Sequence, residues 1–72
     1  MDTCEVKSPL IWSIRNVENL VSDIFRIVGQ KKAKKFKITL ISTTEEKNFV
    51  IIISGPEEYR NIIKKMSNQE KV

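Results

Sequence analysis

The 72-residue chain carries 13 basic and 9 acidic residues, a net charge of +4, with one cysteine and no histidine. A chain this short forms one domain whose core alone gives little stability, and a single cysteine excludes an internal disulfide. Without histidine the usual general base is missing and a zinc site cannot be assembled, so we expect no catalysis, no cofactor and no metal.

The first 13 residues are predicted to form an N-terminal arm. Met1–Pro9 has an acidic residue, Asp2, near its start, and the apolar stretch LIW after it is too short for a signal peptide. Leu10–Ile14 fits either an edge strand or a turn of helix. Trp12 within it either anchors the arm to the domain or docks onto a partner. Small secreted domains usually contain several cysteines, so we expect a reducing compartment.

A helix is predicted over Asn16–Val28. Its apolar residues recur three and four positions apart, which is the spacing of a buried helix face, and Phe25 widens that face. Ser13 or Asn16 can cap the start, and Gly29 follows the last apolar residue, where helices often end in a left-handed residue. The predicted core positions are Val17, Leu20, Val21, Ile24, Ile27 and Val28.

The segment after this helix, residues 31–37, concentrates the positive charge. It contains five of the 13 basic residues, and without them 8 basic residues would face 9 acidic ones. From Lys35 the sequence alternates as a strand does. Phe36, Ile38 and Leu40 share the inner face. The outer face carries Lys35, Lys37, Thr39 and Ile41.

A strand and a helix complete the predicted domain. After the polar turn Thr43–Asn48, Phe49–Ile53 is a strand that is apolar on both faces and far too short to span a membrane. The last helix is expected to use Gly55 as its cap and Pro56 as its first residue. Its apolar stripe is Tyr59, Ile62, Ile63 and Met66, it ends near Lys64 and Lys65, and residues 67–72 form a tail.

This order predicts an α+β fold, in which two amphipathic helices pack on one face of a small antiparallel sheet. Two strands are clear, and a two-stranded sheet is marginal alone. We therefore expect a third strand, from the LIW stretch, from Gln30–Lys34 or from another molecule. The domain is assigned to residues 14–66. On the uncovered sheet face and in the arm, the candidate protein contacts are Trp12, Ile41, Val50 and Ile52.

The lysine run is the one functional signal, and it favours contact with a polyanion. Lysines bind phosphates as point charges and release counterions without reading the sequence. A solvated surface, or protection of an edge strand from pairing, is the alternative. The candidate RNA-binding residues are Lys31, Lys32, Lys34, Lys35 and Lys37, extended by Arg26, Lys64 and Lys65.

Other side chains are interpreted as structural. The carboxylate pairs Glu45–Glu46 and Glu57–Glu58 fit a solvated turn and a helix start, and Cys4 has no partner base. Phe36 and Phe49 are assigned to the core, so no aromatic platform for single-stranded bases is expected. Recognition of the backbone of structured RNA or a duplex is favoured.

Three stretches resemble the eukaryotic large-subunit ribosomal protein family numbered thirty-eight. IRNVENLV, Ile14–Val21, is similar to the opening of that family's first helix, and KKFKI, Lys34–Ile38, to its lysine-bearing strand. NFVIIISGPEEYRNIIKKM, Asn48–Met66, is similar to its apolar strand, turn and final helix. The resemblance implies a cytoplasmic, non-catalytic ribosomal protein that contacts ribosomal RNA and neighbouring ribosomal proteins, with no membrane and no small-molecule substrate. By position, it makes Lys34, Lys35 and Lys37 RNA-facing.

Two other functions fit the same residues. The small Alu-RNA-binding proteins of the signal recognition particle also have helix–strands–helix order and work as a heterodimer, and Val50 and Ile52 would suit sheet pairing with such a partner. A protein–protein or self-association module is the third hypothesis. There the lysines would only protect an edge, and the apolar residues of the uncovered sheet face would form the interface.

Overall fold

The computed structural model describes residues 2–45 and 47–68. Met1, Glu46 and residues 69–72 of the predicted tail therefore lie outside the described part of the chain. Four strands and three helices follow one another in it, with a 3₁₀ turn before the last helix. They are β1 (Thr3–Lys7), β2 (Trp12–Ser13), α1 (Ile14–Val28), α2 (Gln30–Ala33), β3 (Lys37–Ser42), β4 (Asn48–Pro56), the 3₁₀ turn Glu57–Tyr59 and α3 (Arg60–Ser67).

The sheet is antiparallel and is built around β4. Along one edge of β4 lies β3, with Leu40 opposite Ile51. Along the other edge lie β1 and then β2, with Cys4 opposite Gly55 and Trp12 opposite Phe49. The sheet is therefore three strands wide, and the third strand comes from the N-terminal segment of this chain.

The assignment of residues 1–13 to an arm is wrong for β1 and β2. The letters TCEVK alternate between polar and apolar residues, so Cys4 and Val6 face the core while Glu5 and Lys7 face outward. Lys7 lies opposite Ile52 and Trp12 opposite Phe49, so the N-terminal side carries two extra residues between these pairs. Because of this interruption, the N-terminal segment lacks the continuous alternation of polar and apolar residues that predicts a strand.

Ser8, at the start of the interruption, connects the N-terminal strand to the end of α3. It is buried, and its hydroxyl donates to the Ser67 carbonyl at 2.6 Å. The same oxygen accepts from Trp12 Nε1 at 2.8 Å and from the Leu10 amide at 3.1 Å. Trp12 is 2% exposed, so it anchors the strand and is not a docking residue. Ser67 is fully buried and belongs to the domain, not to a tail.

Both longer helices cover the same face of the sheet. Ile51 and Ile53 of β4 are fully buried on that face, and they form one core with side chains of α1 and α3. The helix part of this core consists of Val17, Leu20, Ile24, Ile63 and Met66. The predicted α+β fold, with two helices on one sheet face, is confirmed.

Helix α1 starts two residues earlier than predicted, at Ile14. Ser13 is its cap, because the Asn16 amide donates to the Ser13 hydroxyl at 3.2 Å. Val21 and Ile27 were expected in the core, yet both are exposed, as is Phe25. The apolar face of α1 is thus wider than the surface that the domain itself covers.

The predicted cap at Gly55 is also wrong. β4 continues to Pro56, and the Glu57 amide donates to the Asp2 carbonyl at 3.0 Å. The pairing of β4 with the N-terminal segment therefore extends beyond the apolar residues Phe49–Ile53. A Cβ at Gly55 would lie 2.9 Å from two ring carbons of Phe36 and 3.2 Å from Ile63 Cδ1. Glycine is needed there because an aromatic ring packs against the strand backbone.

We expect Ser8→Ala to destabilise the domain by about 2 kcal/mol, because it leaves a buried indole N–H and a buried carbonyl without their hydroxyl partner. Urea unfolding followed by tryptophan fluorescence measures this change. Ser22→Ala, at an exposed position of α1, is the control and should change stability by about 0.5 kcal/mol or less. Equal stability of the two variants would show that the Ser8 network contributes nothing.

Candidate nucleic-acid interface

The lysine segment, residues 31–37, is ordered from end to end. Gly29 adopts φ +85°, a value that side chains rarely allow, and so lets the chain turn from α1 directly into α2. After α2 the Lys35 and Phe36 amides donate to the Lys32 and Ala33 carbonyls, at 3.0 and 3.1 Å. The first four lysines thus lie on a helical turn and the tight turn after it, and only Lys37 lies in a strand.

Two apolar residues hold this segment against the domain. Ala33 is buried, and the half-buried Phe36 ring packs against the core and lies 5.6 Å from the Tyr59 ring, centroid to centroid. Because these side chains point inward, the remaining positions point outward. Lys31, Lys32, Lys34, Lys35 and Lys37 are all exposed. The five lysines thus form one ordered cationic surface.

Lys32 differs from its neighbours in having partners. Its ammonium lies 5.6 Å from the centre of the Tyr59 ring and 3.9 Å from a Glu58 carboxylate oxygen. The Tyr59 hydroxyl first, and then the Glu58 charge, raise the pKa of Lys32 above its ordinary value. Lys32 is therefore charged at neutral pH, but part of its field is offset by Glu58.

The other predicted basic residues lie outside the lysine segment. Arg26, in the last turn of α1, is paired with Asp23 at 2.6 Å, which offsets its charge. Lys64 and Lys65 are exposed on α3, which packs on β1 and β4. Nearby, Arg60 forms two hydrogen bonds to Glu57, at 2.6 and 2.8 Å, and lowers the pKa of that carboxyl. The charge on that side is thus partly neutralised.

An apolar groove begins beside the lysine segment, between α1 and β3. Its volume is about 280 Å³, and α1 forms one wall with Val21 and Phe25. Ala33 and Phe36 close the end next to the lysines, Ile38 of β3 forms the other wall, and Ile24 completes the lining. Phe25 is 47% exposed. The sequence prediction that the surface offers no aromatic side chain is wrong, because Phe25 was counted with the core.

A second depression, of about 440 Å³, lies at the other end of α1. Ser13, Ile14 and Arg15 line it from the helix start, and Lys47 and Phe49 line it from the β3–β4 turn and the start of β4. Ile14, Val21 and Phe25 are seven and four residues apart, so they share one side of α1. Leu40, 41% exposed, lies on the same sheet face as Ile38. We refer to the two depressions together as the α1–β3 groove.

The groove is bounded by positive charge at both ends. The lysine segment lies at the Phe36 end, and Arg15 and Lys47 lie at the Ile14 end, about 16 Å away along a helix that rises 1.5 Å per residue. Glu18, exposed and four residues from Ile14, adds one negative charge to the same side of α1. The sequence prediction missed Arg15 and Lys47, because they flank elements and form no run.

The open sheet face carries the remaining predicted residues. Val50 and Ile52 are half-buried there, and Ile41 is 41% exposed. Lys37 and Thr39 lie on the same face, opposite Ser54 and Ile52. Lys35, which was predicted on this face, lies in the turn before β3, so Lys37 is the one basic residue that β3 adds to it.

Neither a metal centre nor a spanning helix is found in residues 2–45 and 47–68. These residues contain no group of three or more histidine, cysteine or carboxylate side chains arranged to hold a metal ion. Their helices are all too short or too polar to cross a lipid bilayer. Cys4 is buried opposite Gly55, with its sulfur 4.0 Å from the Pro56 carbonyl oxygen.

Comparison with known protein families, curated proteins and solved structures finds no match to this chain.

Proposed function

We propose that this protein binds RNA as a non-catalytic component of a ribonucleoprotein particle. The observation that carries the proposal is the position of the rigid lysine segment at the end of an apolar groove with an exposed phenylalanine. Lysines supply sequence-independent contacts to phosphates, and an aromatic ring supplies a stacking surface that every base can use. The two features together match a nucleic-acid strand better than either does alone.

The groove shifts the proposal from structured RNA toward a single strand. A duplex presents its phosphates outside and keeps its bases stacked, so it has no use for an apolar groove about 16 Å long. A single strand can place bases on Phe25, Val21 and Ile14 while its backbone follows the cations at the two ends. The Phe36 end of the groove lies beside Lys34 and Lys35, which the resemblance also assigned to RNA.

The identity of the particle rests on the resemblance to the ribosomal family, which covers most of residues 14–66 and does not include β1. On that basis we propose the cytoplasmic large ribosomal subunit, with neighbouring ribosomal proteins as further contacts. The protein is expected to sediment with large subunits in moderate salt and to leave them after RNase treatment. If the protein sediments with another particle, such as the signal recognition particle, the proposal of RNA binding stands and the ribosomal assignment is rejected.

Neutralising the lysine segment should weaken RNA binding and its salt dependence together. Each lysine that contacts a single-stranded phosphate contributes about 0.7 to the slope of log Kobs against log salt, so Lys31→Gln/Lys34→Gln/Lys35→Gln should reduce the slope by about 2. Fluorescence anisotropy with a labelled oligouridine measures both quantities. The control triple variant Lys7→Gln/Lys64→Gln/Lys65→Gln has the same net charge and should keep most of the slope. Equal losses in the two variants would reject the lysine segment as the site.

Removing the Phe25 ring should lower affinity without unfolding the domain. Stacking of a base on an aromatic side chain contributes about 1–3 kcal/mol, so Phe25→Ser should weaken oligouridine binding by about tenfold. Ile27→Ser, exposed to a similar degree on the other margin of the buried face of α1, should not. Glu18→Gln removes the negative charge from the groove side and should tighten binding. If Phe25→Ser keeps both the affinity and the thermal stability of the original protein, the bases do not stack on Phe25.

A further inference from the structure

β3 is an edge strand with little protection against pairing. It is hydrogen-bonded to β4 on one side, and the described residues place no strand on its other side. Of its six residues only Lys37, the first, is charged, and it contains neither proline nor glycine. Leu40 and Ile41 are each 41% exposed and lie on opposite faces of the sheet. Uncharged, β-branched edges of this kind pair readily with another strand.

The other edge of the sheet is different. β1 has five residues, of which Glu5 and Lys7 place charges of opposite sign on its outward face, and α3 packs against it. The chain then leaves strand geometry at Ser8, where the side chain is tied to Ser67. Charges, short length and interruption are the features by which natural proteins block edge pairing. Pairing through the sheet is thus favoured at β3 alone.

We propose that two copies of this protein associate by antiparallel pairing of their β3 strands. A two-fold axis at Leu40 places Leu40 opposite Leu40 of the second copy and Thr39 opposite its Ile41, so each residue stays on its own sheet face. An axis at Thr39 meets the same requirement. Both registers pair the same two β3 strands, and they differ only in whether the two-fold axis passes at Leu40 or at Thr39.

The apolar centre of β3 is complementary to itself, which favours a second copy as the occupant, and like-charge repulsion does not oppose it. With the axis at Leu40, the two Lys37 side chains lie at opposite ends of the pair, six residues or about 20 Å apart. This separation exceeds the screening length of about 8 Å at physiological salt, so the lysines do not oppose pairing. The apolar centre of each strand then faces the apolar centre of the other, and the interface is self-complementary.

Sedimentation equilibrium of the full chain without RNA, at concentrations up to about 1 mM, tests the proposal. We expect a monomer–dimer equilibrium that Leu40→Lys weakens about tenfold or more, because it sets two like charges opposite each other. Ile27→Lys makes the same change at an equally exposed site on α1 and should leave the dimer intact. A monomer at every concentration, open-ended assembly, or equal weakening by the two variants would overturn the proposal.

Oxidative cross-linking provides a second measurement that does not depend on how well Leu40→Lys folds. Opposite residues of paired strands have Cα atoms within the range a disulfide spans, so Leu40→Cys or Thr39→Cys should form a covalent dimer, depending on the register. Cys4 is buried and does not compete. Ile27→Cys is the matched control and should stay monomeric. Failure of both β3 variants to cross-link would reject the pairing, whatever the outcome of the RNA measurements.

Discussion

The burial of Ile51 and Ile53 is the constraint on which the rest of this structure depends. β4 pairs on both edges, and these two side chains are fully covered by helices from the two ends of the chain. A domain of this size has no second core to compensate for a loss here. The N-terminal strand, α1 and α3 therefore all depend on the same central strand for their packing.

The closure of that core explains why Ser8 carries several hydrogen bonds. The two ends of the chain meet where β1 stops and α3 ends, and polar backbone groups are trapped between Trp12 and Ser67. A buried polar group without a partner costs free energy, and one hydroxyl that donates once and accepts twice satisfies all of them. The described residues accordingly contain no buried side-chain polar atom without a hydrogen-bond partner.

The two longer helices, the two strands around the β3–β4 turn and the fold class were predictable, because their patterns are periodic and local. Helix α2 was not predicted, since Gln30–Lys34 was considered a candidate third strand. The N-terminal strand was not predicted either, because its five residues carry only two inward side chains and its partners lie 45 to 53 residues away. The groove was hidden for a related reason. Periodicity shows that Val21 and Phe25 lie on the apolar side of α1, but only the packing of α1 over β4 shows that these two positions extend past the core. The lysine segment was found by charge alone, whereas Arg15 and Lys47 are 32 residues apart in sequence and meet only through the fold.

The groove and the open edge share one strand, and this links the two proposals physically. Ile38 forms a wall of the groove, and its side chain, like that of Leu40, points to the helix-covered face. Pairing uses the backbone groups of the same strand, which lie in the plane of the sheet. Groove binding uses side chains of β3 and strand pairing uses its backbone groups, which point in perpendicular directions, so the two interactions do not compete for the same atoms. In a sheet continued across β3, the helix-covered face continues as well, so the α1 helices of the two copies would form opposite walls of one wider groove. Its lysine segments would then lie at opposite ends, because antiparallel pairing reverses the second copy. An RNA strand in such a groove would meet cations at both ends whichever way it ran.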